Sequence, residues 1–172
     1  MKKLSIKKYA LFSAIIFGGV LIDQITKLLS VKFLMPVSTV PIIKDVIHLT
    51  YVENRGAAFG MLADSRWVFM IISTLSIIGM LFFLYSGLAQ TRLYEIAIAM
   101  IISGGIGNMI DRTALGYVID MIDFRLINFA VFNGADSFVC VGAGLLILAL
   151  ILDIMNETDK KKRKPENDSD GQ

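Results

Sequence analysis

The sequence predicts an integral membrane protein, all-α in its membrane part: a four-transmembrane-helix bundle with a small antiparallel sheet at the membrane surface. Three observations lead there. First, 55% of the 172 residues are hydrophobic and the mean hydropathy is +0.67, too apolar for a soluble domain of this length. Second, four apolar runs are separated by polar breaks. Third, the net charge of only +2 hides an uneven distribution, with basic residues gathered in two tails: Lys2, Lys3, Lys7 and Lys8 at one end, and Lys160 to Lys164, including Arg163, at the other. Basic tails that flank apolar spans are a topology signal rather than a nucleic-acid-binding one.

The first span covers about residues 9–34 and carries Asp23 and Lys27. Its Lys-rich start and the run YALFSAIIFGGVLI look like a signal peptide. The run passes straight into Asp23, Gln24 and Lys27 with no small-x-small cleavage site, so an uncleaved span is expected. Residues 36–65 are mixed, rich in Val, Ile and Thr, and include Pro36 and Pro41; IHLTYV within them reads as a strand. The second span, about 67–88, is free of charge, and a turn holding Arg92 leads into the third, about 93–110. Asp111, Arg112 and a loop through Asp136 follow, then the fourth span, about 137–155. Residues 1–156 form the membrane domain, and the charged stretch 157–172 is expected to be a disordered cytoplasmic tail.

Four spans place both termini on one side, and their lysines mark that side as cytoplasmic. Asp23 then lies ~20 Å along the first span, with Lys27 deeper towards the outer face. Asp111 and Arg112 end the outward-running third span, Asp120 falls in the outer loop, and Asp136 starts the returning fourth span. Four separate segments thus bring their unusual polar groups to one depth.

Asp120 and Asp136 are the first catalytic candidates. Carboxylates against apolar sequence are costly unless paired or used. Two acids close together hold one proton between them, so one activates a water as base while the other protonates a leaving amine. Asp136 also suits the N-cap of the fourth helix, and capping is compatible with catalysis. The dipole is expected to keep Asp136 ionised, while apolar surroundings raise the pKa of Asp120. Asn108, Asp111 and Arg112, at i, i+3 and i+4, share a helix face and read either as an interfacial ion pair or as groups that hold the acids and substrate carbonyls. Asp23 and Lys27, four apart, read the same two ways.

Gly104, Gly105, Gly107, Gly142 and Gly144 are packing glycines that let the third and fourth helices approach. Asn54 and Gly56 form a turn-like Asn-x-Gly after the strand, and His48 is expected to be interfacial. A lone His and the lone Cys140 give no zinc site and no internal disulfide. A cage of Asp111, Asp120, Asp123 and Asp136 around a hard cation is conceivable but ranks below the acid pair. Ser137 has no histidine base, and phosphate-loop and dinucleotide motifs are absent from the sequence. A small proton- or ion-translocating protein is the competing reading, since intramembrane acids often mark ion paths. A non-catalytic scaffold is the other.

DQITK (23–27), ENRGAAFG (53–60), GGIGNMIDR (104–112), GYVIDMIDF (116–124) and FNGAD (132–136) occur in this order. Together they closely resemble the lipoprotein signal peptidases, the signal peptidase II family, over nearly the whole chain except the charged tail. The resemblance implies four transmembrane helices with a small extracellular antiparallel β-cradle and a further surface-lying segment. It implies an aspartic endopeptidase that cuts bacterial prolipoproteins before a diacylglyceryl-modified cysteine, without metal or cofactor, and that is inhibited by globomycin-type cyclic peptides. The family's catalytic aspartates match Asp120 and Asp136; supporting residues match Asp23, Lys27, Asn54, Gly56, Asn108, Arg112, Val118, Asn133 and Ala135, with Asp111 beside them. Met121 stands where many relatives carry Phe. The expected setting is the bacterial cytoplasmic membrane, with a monomeric protein among membrane lipids and its site at the outer leaflet.

Overall fold

Helix α1, Ile6–Leu29, is apolar apart from its ends and the Asp23–Lys27 stretch, and it finishes in a π turn, Ser30–Leu34, closed by Met35 N–H donating to Ser30 O at 2.9 Å. The computed structural model describes residues 6–56, 66–89 and 91–163. The chain then forms β1, Thr39–Ile43, and β2, Ile47–Asn54, an antiparallel hairpin whose turn sets Asp45 at φ 59°. Helix α2, Arg66–Tyr85, and helix α3, Arg92–Ala114, follow. Strand β3, Val118–Phe124, adds antiparallel to β2, giving the order β1-β2-β3, and α4 runs Gly134–Arg163.

Helix α3 is the hub: it packs against each of the other three helices, most extensively α4. Small residues explain the closeness. A Cβ on Gly104 would collide with the backbone oxygen of Ala135, and one on Gly142 would sit 2.8 Å from Ala97 O. Gly105 faces α2 instead, at Ile77, and Gly144 has open space, so packing accounts for the other glycines but not for Gly144. Phe12, Ile77, Leu84, Ile98, Ala99 and Ile102 make the core between α1, α2 and α3. Leu34, Ile119 and Met121 make a second core beneath the sheet.

Among the described residues, three helical segments are long and apolar enough to cross a membrane: Ile6–Leu34, Arg92–Ala114 and Gly134–Thr158; α2 contributes a shorter apolar stretch, Met70–Tyr85. Large exposed apolar side chains on all four helices, among them Phe17, Ile71, Ile110 and Ile154, are surfaces that water would not tolerate and lipid does. This is a multi-pass membrane protein.

Three sequence expectations need correction. The segment between the third and fourth spans is not all loop: Asp120 lies in a strand, because VIDMIDF pairs with β2, which already presents an unpaired edge. Helix α4 extends past residue 155, so residues 157–163, expected to be disordered, continue it. His48 is buried within the sheet rather than interfacial, accepting the Asp45 N–H through Nε2 at 3.3 Å. Of the stretch expected as sheet, residues 57–65 lie outside the described residues.

Candidate active site

Asp120 comes from the middle of β3, opposite Val52, and is only 1% exposed. Its two oxygens are held separately. Asn54 Nδ2, from the end of β2, donates to Oδ2 at 2.9 Å, and Asn133 Nδ2 donates to Oδ1 at 2.6 Å. Burial pushes its carboxyl up to about 6, against the lowering pull of these two donors.

Asp136 is not the N-cap of α4. The helix begins at Gly134, Asn133 occupies the cap, and Asp136 is the third residue in. The two cap each other: Asp136 N–H donates to Asn133 Oδ1 at 2.9 Å, while Asn133 N–H donates to Asp136 Oδ2 at 3.3 Å. This is a capping box in which Asn and Asp take the usual Ser/Thr and Glu places. Asn108 Nδ2 donates to the remaining oxygen, Asp136 Oδ1, at 2.7 Å. Ser137 Oγ donates to Asn133 O at 3.0 Å, which ties it into the first turn of α4.

Asn133 therefore stands between the two acids, its side chain on Asp120 and its backbone on Asp136. Asn133 Nδ2 also reaches Asn108 Oδ1 at 3.1 Å, and Lys27 Nζ donates to that same oxygen at 3.0 Å. Lys27, 2% exposed, forms ion pairs with Asp23 Oδ2 at 2.8 Å and Asp111 Oδ2 at 2.9 Å. Both alternatives read for these residues are present at once: the i,i+4 pair exists, and it also supports the site through Asn108. Asp111 pairs with Lys27 rather than serving only as a neighbour of Arg112.

Asp23 and Asp111 position backbone as well. Asp23 Oδ1 accepts the Ala135 N–H at 2.8 Å, supplying from α1 an acceptor for one of the four N–H groups that every helix start leaves open. Asp111 Oδ2 accepts the Ile119 N–H at 3.1 Å and so fixes the residue before Asp120. Gln24 Nε2 lies within hydrogen-bond distance of Asp23 Oδ2 at 3.2 Å, Asp111 Oδ1 at 3.0 Å and Gly107 O at 3.2 Å. Sequence reasoning passed over Gln24; the available signal was a second polar side chain beside Asp23 in an apolar span.

Gly56 N–H donates to Asn54 Oδ1 at 3.0 Å, an Asx turn that orients the Asn54 amide towards Asp120, and Arg112 Nη2 donates to Gly56 O at 3.4 Å. Val118 pairs with Asn54 across the strands. A cavity of about 410 Å³ opens here, lined by Asn54, Asn108, Arg112, Val118 and Asp136 on one side and by Phe129 to Phe132 and Cys140 on the other. Of the candidate residues, Asp23, Lys27, Asp111, Asp120, Asn133 and Ala135 are buried and do not line this cavity; Asp120 is hydrogen-bonded to Asn54, which does.

The four carboxylates of the conceivable cation cage do not converge. Asp111 is committed to Lys27, and Asp123 points to the opposite face of β3 from Asp120 by strand alternation. There Asp123 Oδ2 accepts from Arg125 Nε at 2.9 Å and Thr50 Oγ1 at 2.7 Å. Burial raises the Asp123 carboxyl, but these hydrogen bonds outweigh it and hold it below the usual carboxylate value.

A multi-pass helical bundle with two acids bridged by one asparagine, through its side chain to one and its backbone N–H to the other, defines a class: membrane proteins with a carboxylate-pair site of the kind aspartic hydrolases use. The profile of the family described as Signal peptidase (SPase) II matches residues 15–152. A protein named lipoprotein signal peptidase from Caldanaerobacter subterraneus subsp. tengcongensis is 50% identical over 127 residues, covering 74% of this chain and 86% of its own. Another of that name, from Clostridioides difficile, is 43% identical over 144 residues, covering 83% and 94%. A solved structure described as a bacterial membrane enzyme, determined by the in meso method at 2.3 Å resolution, superposes with TM-score 0.79 at 31% identity, covering 90% of this chain and 94% of that one. The chain belongs to the signal peptidase II family.

Proposed function

We propose that the protein is a lipoprotein signal peptidase: an aspartic endopeptidase that removes the signal peptide from bacterial prolipoproteins by hydrolysing the bond before a diacylglyceryl-modified cysteine. The observation that carries the mechanism is the bridging of Asp120 and Asp136 by Asn133 beside an open cavity. The two acids have different surroundings, which is what separate acid and base roles require.

Asp136 takes a proton from a water as its oxygen attacks the scissile carbonyl carbon. The tetrahedral intermediate then collapses, the C–N bond breaks, and protonated Asp120 gives its proton to the leaving cysteine nitrogen. Asn108 and Asn133 keep the carboxylates in place by donating to their oxygens, and Lys27, with Asp23 and Asp111, holds Asn108. Arg112, at the cavity wall, balances charge as the intermediate forms. Asn54, Gly56, Val118 and Ala135 shape the site. The acids need no metal or cofactor for this sequence of steps.

The proposed setting is the bacterial cytoplasmic membrane, with four spans, both termini in the cytoplasm, the site at the outer leaflet, and a monomeric protein in contact with membrane lipids. Residues 1–156 are the working domain. The experiment is direct: purified protein incubated with a diacylated precursor peptide releases the signal peptide, chelators leave the rate unchanged, and globomycin blocks it. Failure to cleave the lipidated precursor would refute the reading.

A further inference from the structure

The sheet, ordered β1-β2-β3, has an edge on each side, and the two edges differ. On the β1 side the edge carries Pro41, which has no N–H to offer, and a bulge between Pro41 and Ile43 breaks the register. Proline and a bulge are what keep an edge from pairing further. On the β3 side the strand's own donors are taken. Ile119 N–H donates to Asp111 Oδ2 at 3.1 Å, and Met121 and Ile122 N–H both donate to Phe132 O, at 3.0 and 2.8 Å.

Phe132 therefore carries the edge outward. Its N–H donates to Ile122 O at 3.1 Å, so the two residues exchange both hydrogen bonds, as a bonded antiparallel pair does. Along a strand the polar backbone groups of successive residues point to opposite edges. Those of Phe132 face β3, so those of Val131 face away from it. Among the described residues, Val131 N–H and C=O have no backbone partner. Val131 also lines the cavity that holds Asp136, across from Asn54 and Arg112. Phe129 and Phe132 flank it, with ring centroids 5.8 Å apart and edge to face, which stiffens this short segment. A stiff, unpaired backbone edge beside the acids matches what every extended peptide presents, whatever its side chains.

We propose that Val131 is a substrate-binding residue: the precursor's extended backbone beside the scissile bond adds to the sheet as a further antiparallel strand. One precursor residue exchanges both hydrogen bonds with Val131 N–H and C=O. This rests on the precursor-cleavage reading above and names how that same cavity takes hold of the peptide.

The test is N-methylation of the precursor's backbone, one amide at a time over about three residues on either side of the scissile bond, that bond itself left unmodified. With the unmodified protein, a single position is expected to raise KM about three- to tenfold, the net contribution of one hydrogen bond, with kcat unchanged and the other positions within about twofold. Val131→Pro removes the N–H and should raise KM for the unmethylated precursor by about the same factor. Methylation at the sensitive position should then add less than about twofold, because the pair is already broken. Val131→Ala keeps the N–H and should bind the precursor as the parent does. A scan with no sensitive position in the unmodified protein overturns the proposal, and so does an undiminished methylation effect in folded Val131→Pro. Cleavage of the unmethylated precursor reports separately on the function itself: cleavage with a flat scan removes the strand pairing and leaves the peptidase reading standing.

Discussion

Asn133 Nδ2 lies 2.6 Å from Asp120 Oδ1, while the backbone and Oδ1 of the same asparagine cap Asp136. One residue thus sets the positions of both acids and the start of α4. Asn133→Ala removes the side-chain cap, at a cost of about 1 kcal/mol in stability, and takes away the donor to Asp120 Oδ1, leaving Asp120 held by Asn54 alone. The expected loss in kcat is about a hundredfold or more, far beyond what that destabilisation explains. Measuring kcat alongside the melting temperature separates the two; a variant with a lowered melting temperature but a near-normal kcat would show Asn133 to be a cap only.

The protonation of Asp120 gives a signed pH prediction. Burial raises it from 3.8 to about 6, so between those values the folded chain holds a proton that the unfolded chain has released. Its contribution to stability therefore falls as pH rises through that window and is lowest above it. The same loss of the proton removes the general acid, so kcat/KM should decline on the alkaline side with a midpoint at or above 6. Asn54 favours the ionised form through its 2.9 Å hydrogen bond. Asn54→Ala should move the alkaline midpoint upward, and an unmoved or lowered midpoint would contradict the assignment.

Lys27 is buried between Asp23 and Asp111 and holds Asn108. Lys27→Met leaves two buried carboxylates without their cation, a loss of about 3–5 kcal/mol. Thermal unfolding in detergent should show a large fall in melting temperature. A melting temperature within a few degrees of the parent protein would mean that the ion pairs contribute little.

Two glycines in apolar helices should behave oppositely. A Cβ on Gly107 would sit 2.5 Å from Asp23 Oδ2, so Gly107→Ala must push Asp23 off the Lys27 and Ala135 contacts, and activity should drop. Gly144 has nothing within 4 Å, and Gly144→Ala should be neutral or slightly stabilising, since Ala favours helix by up to about 1 kcal/mol. Activity and melting temperature of the two variants check the contrast.

The helices were legible because apolar runs are long and their ends are marked by charge: α1, α3 and α4 begin within about three residues of the expected positions. The meeting of Asp23, Asp111, Asp120 and Asp136 at one end followed from counting spans. Strand β3 was not legible, because VIDMIDF alternates weakly and its partner lies more than sixty residues earlier; only the edge of β2 makes it a strand. Asn133 as the helix cap, and Asp136 as the third residue, were hidden by the glycine between them, which gives no helix signal of its own. Gln24 was hidden because a single amide in a span carries no pattern; its role exists only once α1 and α3 are side by side.

The central claim is that Asp120 and Asp136 together cleave the precursor. Asp120→Asn and Asp136→Asn preserve side-chain size, and each protein should unfold at a temperature close to the parent's. Cleavage of the diacylated precursor by each variant, followed to single-turnover sensitivity, is the most direct measurement. A fall in kcat of about a thousandfold or more for both is predicted. Turnover by either folded variant within tenfold of the parent protein would contradict the account.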